Sequence, residues 1–259
     1  MPSASEGGGK RVAIVQSSYI PWKGYFDLIN SVDEFILYDS VQFTRRDWRN
    51  RNRIKTRDGP LWLSIPVEVK GRYHQTIEDT RVSHPGWARR HLETIRHAYA
   101  RAAAFAEYEP RLRALYESAT SDRLSAINEH FLVGLCRLLG ISTRITRSSE
   151  YHLVEGRNER LIALCQQAGA RRYLSGPSAR AYLDEARFIE AGIIVEWMSY
   201  EGYPEYPQLF PPFDHHVSVL DLLLNVGDRA RASMLSFAES SGGADRGWRL
   251  RAPSRRCQP

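Results

Sequence analysis

The chain has 259 residues, 36 Lys and Arg against 30 Asp and Glu, a net charge of +6, and three cysteines. That length can bury a substantial core as one large α/β domain or two modest ones. No run approaches the ~18 apolar residues of a membrane span, Met1–Lys10 lacks the apolar middle of a secretory signal, and Cys136, Cys165 and Cys257 have neither paired number nor metal-ligand spacing. Membrane helix, export and disulfide scaffold are therefore not expected, and a reducing cytoplasm is.

Residues 1–10 are rich in Ser and Gly and are expected to be flexible. Val12-Ala13-Ile14-Val15 is an apolar run too short for a helix and predicts a buried parallel strand. Gln16, Ser17, Ser18 and Tyr19 follow, and Pro21 is placed to open a helix at its first position. Gly24 permits close approach of backbone or ligand. Phe26, Leu28 and Ile29 then form the buried side of a helix whose first-turn amides are free for an anion. Phe35 to Tyr38 predicts a second strand, with Asp39 leaving its carboxyl end. Strand, glycine-bearing turn, helix and strand open a mostly parallel, Rossmann-like α/β sheet, which binds ligands beyond the carboxyl ends of its strands. Gln16, Tyr19, Lys23, Asp39 and Gln42 fall at that edge.

Residues 45–57 carry seven cations against the single acid Asp47, and the stretch from Gly243 carries five arginines against Asp245. The remainder is net acidic, so no general basic face is indicated. Trp48 stands among Arg46, Arg49, Asn50, Arg51 and Asn52, which puts guanidinium forks, amides and a stacking surface within a few residues. This segment is expected to be a loop that grips a phosphate-bearing ligand such as a nucleotide sugar, coenzyme A or the end of a tRNA. The alternative is a solvated loop whose arginines pair with the acidic remainder.

Leu61 to Val69 reads as a strand bent or edged by Pro66, and Ile77 and Val82 as a return strand or extended segment. Trp87 to Phe105 has helical spacing; its His91 and His97 lie six apart and do not share a face, so no metal site is assigned. Glu109–Ala119 and Arg123–Leu139 are further helices, the second with an apolar stripe from Leu124 to Leu138, which completes a helical region at about 85–140. Thr143–Thr146 predicts a strand and Asn158–Ala168 a helix. Arg172 to Leu174 is a strand leading into Ser175-Gly176-Pro177-Ser178. There Gly176 is expected to adopt an unusual backbone angle and Ser178 to cap the next helix, which carries Tyr182, so that the turn forms an anion seat. After the strand Ile193–Trp197, residues 199–213 are rich in Tyr and Pro and are expected to line a pocket mouth or cover a sheet edge. His216 is a candidate general base if it meets the Gln16 turn. Val217–Val226 is an apolar helix in which the carboxylate of Asp221 needs a partner, expected from an arginine of the basic segment. Residues 11–228 are thus read as a single domain, and 229–259 as a helix remnant and disordered basic tail.

Gln16-x-x-Tyr19-x-Pro21-Trp22-x-Gly24-Tyr25-Phe26, Tyr38-Asp39-x-Val41-Gln42-Phe43 and Arg51-Asn52-Arg53-Ile54 resemble the WbqC-like proteins of bacterial surface-polysaccharide and secondary-metabolite gene clusters. The likeness continues through Leu63 to Val67, Tyr173 to Gly176 and Ser218 to Leu223, covering residues 11 to 228. A second resemblance is to the nucleotidylyltransferase and pantothenate synthetase superfamily. There Trp22-Lys23-Gly24-Tyr25 occupies the place of a His-x-Gly-His turn without either histidine, and Ser175 to Arg180 is similar to a Ser/Thr-x-x-Arg turn that grips triphosphate.

Together these imply a transferase or amide-forming ligase that moves an acyl or aminoacyl group onto an amine of an amino sugar or related small molecule, drawing on ATP or another phosphate-bearing donor. Lys23, Arg51 and Ser178 would hold phosphate, with Gln16, Asp39 or His216 orienting or deprotonating the amine. Tyr19, Trp22, Gly24, Gln42, Arg46, Trp48, Asn50, Ser175, Gly176, Tyr182 and Asp221 are the further binding candidates; no metal ligands are assigned. Nucleotidylyl transfer is the alternative enzyme, and a nucleic-acid or assembly module the non-enzymatic one.

Overall fold

Strand β1 (Arg11–Val15) is buried from both sides. Ala13 packs into the core under one sheet face, and Val12 and Ile14 into that under the other, as a central parallel strand requires. The structure, a computed structural model, describes residues 8–239; residues 1–7 of the expected flexible start, the basic tail from 240 onward and Cys257 lie outside the described residues.

After β1 come α1 (Lys23–Asn30), β2 (Glu34–Leu37), β3 (Arg51–Thr56), β4 (Gly59–Ser64), α2 (Trp87–Tyr99), α3 (Phe105–Ser118), α4 (Leu124–Leu139), β5 (Arg144–Arg147), α5 (Arg157–Gln167), β6 (Arg172–Ser175), α6 (Glu185–Glu190), β7 (Ile194–Trp197), α7 (Val219–Val226) and α8 (Leu235–Glu239). Five strands form a parallel sheet in the order β5-β2-β1-β6-β7, so the chain is α/β, with the helices α2 to α4 inserted between β2 and β5. Counted within the sheet alone, the order is 3-2-1-4-5. It reverses between β1 and β6, which makes that junction the topological switch point of a doubly wound sheet. Helix α7 is buried along its whole length, and Leu235 and Ser236 of α8 donate their backbone amides to Asp27 of α1 at 3.0 Å each. Ordered packing therefore continues past residue 228.

Several local expectations are corrected. Pro21 does not open α1: Trp22 is its N-cap and Lys23 its first residue, while the Pro21 carbonyl accepts the Val219 amide at 2.9 Å. The basic segment is no loop beyond residue 50, because β3 and β4 pair antiparallel from Arg51↔Ser64 to Thr56↔Gly59. The signal for this hairpin is Asp58-Gly59, a turn pair whose glycine carries φ +107°. The strand expected at 61–69 accordingly ends at Ser64. Gly176 has an ordinary extended backbone, φ −69°, and Ser178 caps nothing; a single 3-10 turn follows, and α6 begins only after Asp184.

His91 decides how the helical insertion meets the sheet. Its Nε2 lies 3.2 Å from the Ser64 carbonyl and donates to it, which leaves Nδ1 to accept from the Tyr19 hydroxyl at 2.9 Å. Tyr19 stands 2.7 Å from the Tyr116 hydroxyl and is wholly buried, a relay that joins α2, α3 and the loop after β1. Burial lowers the His91 pKa to about 4, so the imidazole is neutral. The unfolded state binds a proton that the fold refuses between pH 6.5 and 4; stability therefore falls as pH falls through that window, by about 3 kcal/mol at pH 4. Urea unfolding at pH 7, 5.5 and 4 should show this loss, and His91→Gln, which cannot titrate, should flatten it.

Candidate functional site

The two neighbours of β1 leave it at different points. Pairing with β2 persists to Val15↔Leu37, and the Tyr38 amide adds a bond to the Val15 carbonyl at 2.9 Å. Pairing with β6 includes only Arg11↔Arg172 and Val12↔Tyr173, whereas β6 and β7 stay together to Ser175↔Trp197. Ladder pairing of β1 with β6 thus ends early, and the place where open α/β sheets take ligands, the notch at the switch point, falls between the Gln16 turn and Ser175-Gly176-Pro177-Ser178. The Gln16 side chain is half-buried and makes no hydrogen bond among the described residues, while its carbonyl is held by the Tyr25 hydroxyl at 2.8 Å and by Arg49 at 2.9 Å. Ser178 is exposed.

An aromatic layer from residues 198–216 runs along one side of the notch. A Cβ built on Gly176 would come 3.7 Å from the Tyr200 hydroxyl, an ordinary contact, so the tyrosine lies over the glycine turn. Trp22 meets Tyr200 and Tyr203 with ring centroids 5.2 and 5.6 Å apart. Its indole also folds back over the first turn of α1: a Cβ on Gly24 would stand 2.4 Å from the ring. The absence of a side chain at Gly24 therefore makes room for Trp22, and the turn expected to seat an anion is covered by an indole. Behind it the buried Lys23 ammonium donates to the Pro204 carbonyl at 3.0 Å and lies 4.9 and 5.1 Å from the ring centres of Tyr203 and Tyr206. Burial lowers its pKa to about 8, against the opposing pull of Asp27 and Asp221. The three tyrosines were visible in the sequence only as a Tyr/Pro-rich stretch.

Asp39 is a joint. Its Oδ1 accepts the Ser17 amide at 2.8 Å and its Oδ2 the Ser125 hydroxyl at 2.6 Å. Asn128 Nδ2 donates to Ser17 Oγ and to the Arg49 carbonyl, both at 2.9 Å, and Arg49 Nη1 donates to the Gln16 and Ser17 carbonyls at 2.9 and 3.0 Å. Arg49, read from the sequence only as one cation of the basic segment, and Asn128, which sequence reasoning left out, thus tie the turn after β1 to β2, α4 and the arginine segment. The Trp22 bend and that segment are stitched edge to edge by the Tyr19 amide on the Trp48 carbonyl and by Asn52 Nδ2 on the Tyr19 carbonyl, each at 3.1 Å, so they do not face each other across a common cleft.

The remaining candidates scatter. Tyr19 is in the core. Asn50 Nδ2 donates to the Ile65 carbonyl at 2.8 Å and Gln42 Nε2 to the Tyr73 carbonyl at 2.8 Å. Tyr182 lies beneath the Arg157 guanidinium at 4.8 Å. Asp221 takes no arginine: Oδ2 accepts from Tyr99 at 2.8 Å, and Oδ1 from Tyr206 and Gln208 at 2.7 Å each. Burial raises its pKa against these bonds, and neutral donors spare the fold a second buried charge. His216 is exposed, its carbonyl accepting from Arg53 at 2.9 Å. Arg46, Trp48 and Arg51 gather at the outer face of the β3–β4 hairpin. Among the described residues no group of three His, Cys, Asp or Glu stands where it could hold a metal ion.

Two outcomes follow. Asp39→Ala should destabilise the fold by about 2–4 kcal/mol in denaturant unfolding, since it leaves the Ser17 amide and Ser125 hydroxyl unpaired, and Asp39→Asn, which keeps an acceptor, should cost less than half of that. The Lys23 side chain should titrate near pH 8 by heteronuclear NMR. Because the fold sheds that proton before the unfolded chain does, its contribution to stability should rise with pH from about 8 toward 10.5.

A family model described as the WbqC-like protein family matches residues 16–233. The chain is 52% identical over 221 residues to the uncharacterized protein Rv1507c of Mycobacterium tuberculosis, covering 85% of this chain and 96% of that one. No solved structure matches the chain.

Proposed function

This chain belongs to the WbqC-like protein family, and we propose that it is a cytoplasmic biosynthetic transferase or ligase. In this reading it moves an acyl or aminoacyl group from a phosphate-bearing donor onto an amine of an amino sugar or related small molecule. The observation that carries the reading is the switch point of a 3-2-1-4-5 sheet, where ladder pairing of β1 with β6 ends early and where open α/β sheets take nucleotide-like ligands. The donor lies in the notch, with the unpaired Gln16 amide and the Ser178 hydroxyl toward its polar groups and Tyr200 alongside. The acceptor nitrogen attacks the acyl carbonyl, the bond to the phosphate-bearing leaving group breaks, and the amine proton passes to a base. Water takes that proton, since His216 stands beside Arg53 of β3. Lys23 is a positioning residue: its ammonium holds the Tyr203-Pro204 turn against Trp22.

Nucleotidylyl transfer is supported less well, since the turn that would cradle phosphate lies under the Trp22 ring and Asp39 is engaged by Ser17 and Ser125. No described helix is long and apolar enough to cross a membrane.

Thermal denaturation with ATP, a nucleotide sugar, an acyl-coenzyme A and an aminoacyl-tRNA tests the proposal. One of these donors should stabilise the protein by about 2.7 kcal/mol at a hundredfold excess over its Kd. Gly176→Leu fits the local backbone but fills the notch, and should abolish that gain while leaving unliganded stability nearly unchanged. If no donor stabilises the wild type, or Gly176→Leu binds normally, the proposal fails.

A further inference from the structure

The outer face of the β3–β4 hairpin has no part in the notch. Along β3 the buried residues Asn52 and Ile54 alternate with Arg51 and Arg53, which stand on the other face. Trp62 of β4 pairs directly with Arg53 and lies diagonal to Arg51. The Arg51 guanidinium sits 4.2 Å from the Trp62 ring centre and that of Arg53 5.7 Å. Trp48 lies 5.3 Å from Trp62 at an interplanar angle of 38°, and the two indoles remain 41% and 40% exposed. Arg51 donates to the Arg46 carbonyl and Arg53 to that of His216, yet the Nε of each is shielded without a hydrogen-bond partner among the described residues. The segment 45–57 concentrates seven cations and one acid in this neighbourhood.

We propose that this face binds single-stranded nucleic acid, with bases stacked on Trp48 and Trp62 and phosphates paired to Arg46, Arg51 and Arg53. A flat strand surface that interleaves aromatic rings with cations matches a polymer whose bases are open on both faces and whose backbone is anionic. A duplex hides its base faces, and a protein partner favours an interface centre poor in charge, whereas here the Trp62 indole has two guanidinium groups beside it. The inference stands apart from the transfer reaction and survives its failure.

The test is fluorescence anisotropy of a labelled oligouridine of about twelve nucleotides, a length that spans a typical single-strand site, with an oligothymidine and heparin alongside and the full chain as the protein. Both oligonucleotides should bind at low salt, with affinity falling steeply as salt rises. Trp62→Ala, an exposed change that leaves the charge intact, should weaken oligonucleotide binding roughly tenfold and leave heparin binding unaltered. Arg51→Gln with Arg53→Gln should lower the salt dependence. Circular dichroism and thermal melting confirm that the variants fold. Absence of oligonucleotide binding at low salt would overturn the proposal. So would equal binding by wild type and Trp62→Ala, which would reduce the face, or the basic tail, to a general polyanion contact.

Discussion

The carboxylate of Asp39 is buried and pairs with no cation among the described residues; it is held by one backbone amide and one hydroxyl, from Ser17 and Ser125. Around it Asn128 and Arg49 take up the remaining polar groups of the turn after β1. That turn is irregular backbone in the middle of the molecule, where each unpaired amide or carbonyl would cost about as much as a lost hydrogen bond. The network lets β1 leave the sheet without a helix beginning at once, and it sets how far the Gln16 turn stands from β6. Every other feature of the candidate site is placed relative to that turn.

The aromatic layer depends on the same arrangement. With Pro21 held by Val219, α1 starts at Lys23, the Trp22 indole lies back over Gly24, and Tyr200 and Tyr203 pack against its other edges. Lys23 and Asp221 lie in adjoining parts of this layer, and each is met chiefly by neutral groups: a carbonyl and ring faces for the ammonium, two phenols and an amide for the carboxylate. Each buried charge is hydrogen-bonded locally, and Asp221 also draws on the Lys23 ammonium electrostatically. The result is an aromatic wall beside the notch.

Much of this architecture was legible in the chain itself. Val12 to Val15 and Phe35 to Tyr38 read as buried parallel strands because a strand covered on both faces is apolar at successive positions, a pattern that needs no partner to be recognised. Arg123 to Leu139 read as a helix from its stripe, and Gly140 closes it with φ +71°. The β3–β4 hairpin was obscured because its outward residues are arginines, so that a strand alternating cation with buried side chain looked like a charged loop. Gly176 looked like a conformational device and is an open seat beneath Tyr200.

The sequence by itself determined the α/β class, the family, the place of the first strand and helix, and the inventory of aromatic and cationic groups, since periodicity and local motif are properties of neighbouring residues. Only the tertiary structure decided which polar side chains are free. Asp39, Asn50, Tyr19 and Asp221 have the chemistry of site residues, but a partner distant in the chain had already claimed each of them. Gln16 and Ser178 are left beyond the carboxyl ends of two adjacent strands some 160 residues apart in the chain. Hydrogen-bond capacity is finite, and which donors and acceptors are spent on the fold is settled by contacts that no local pattern records.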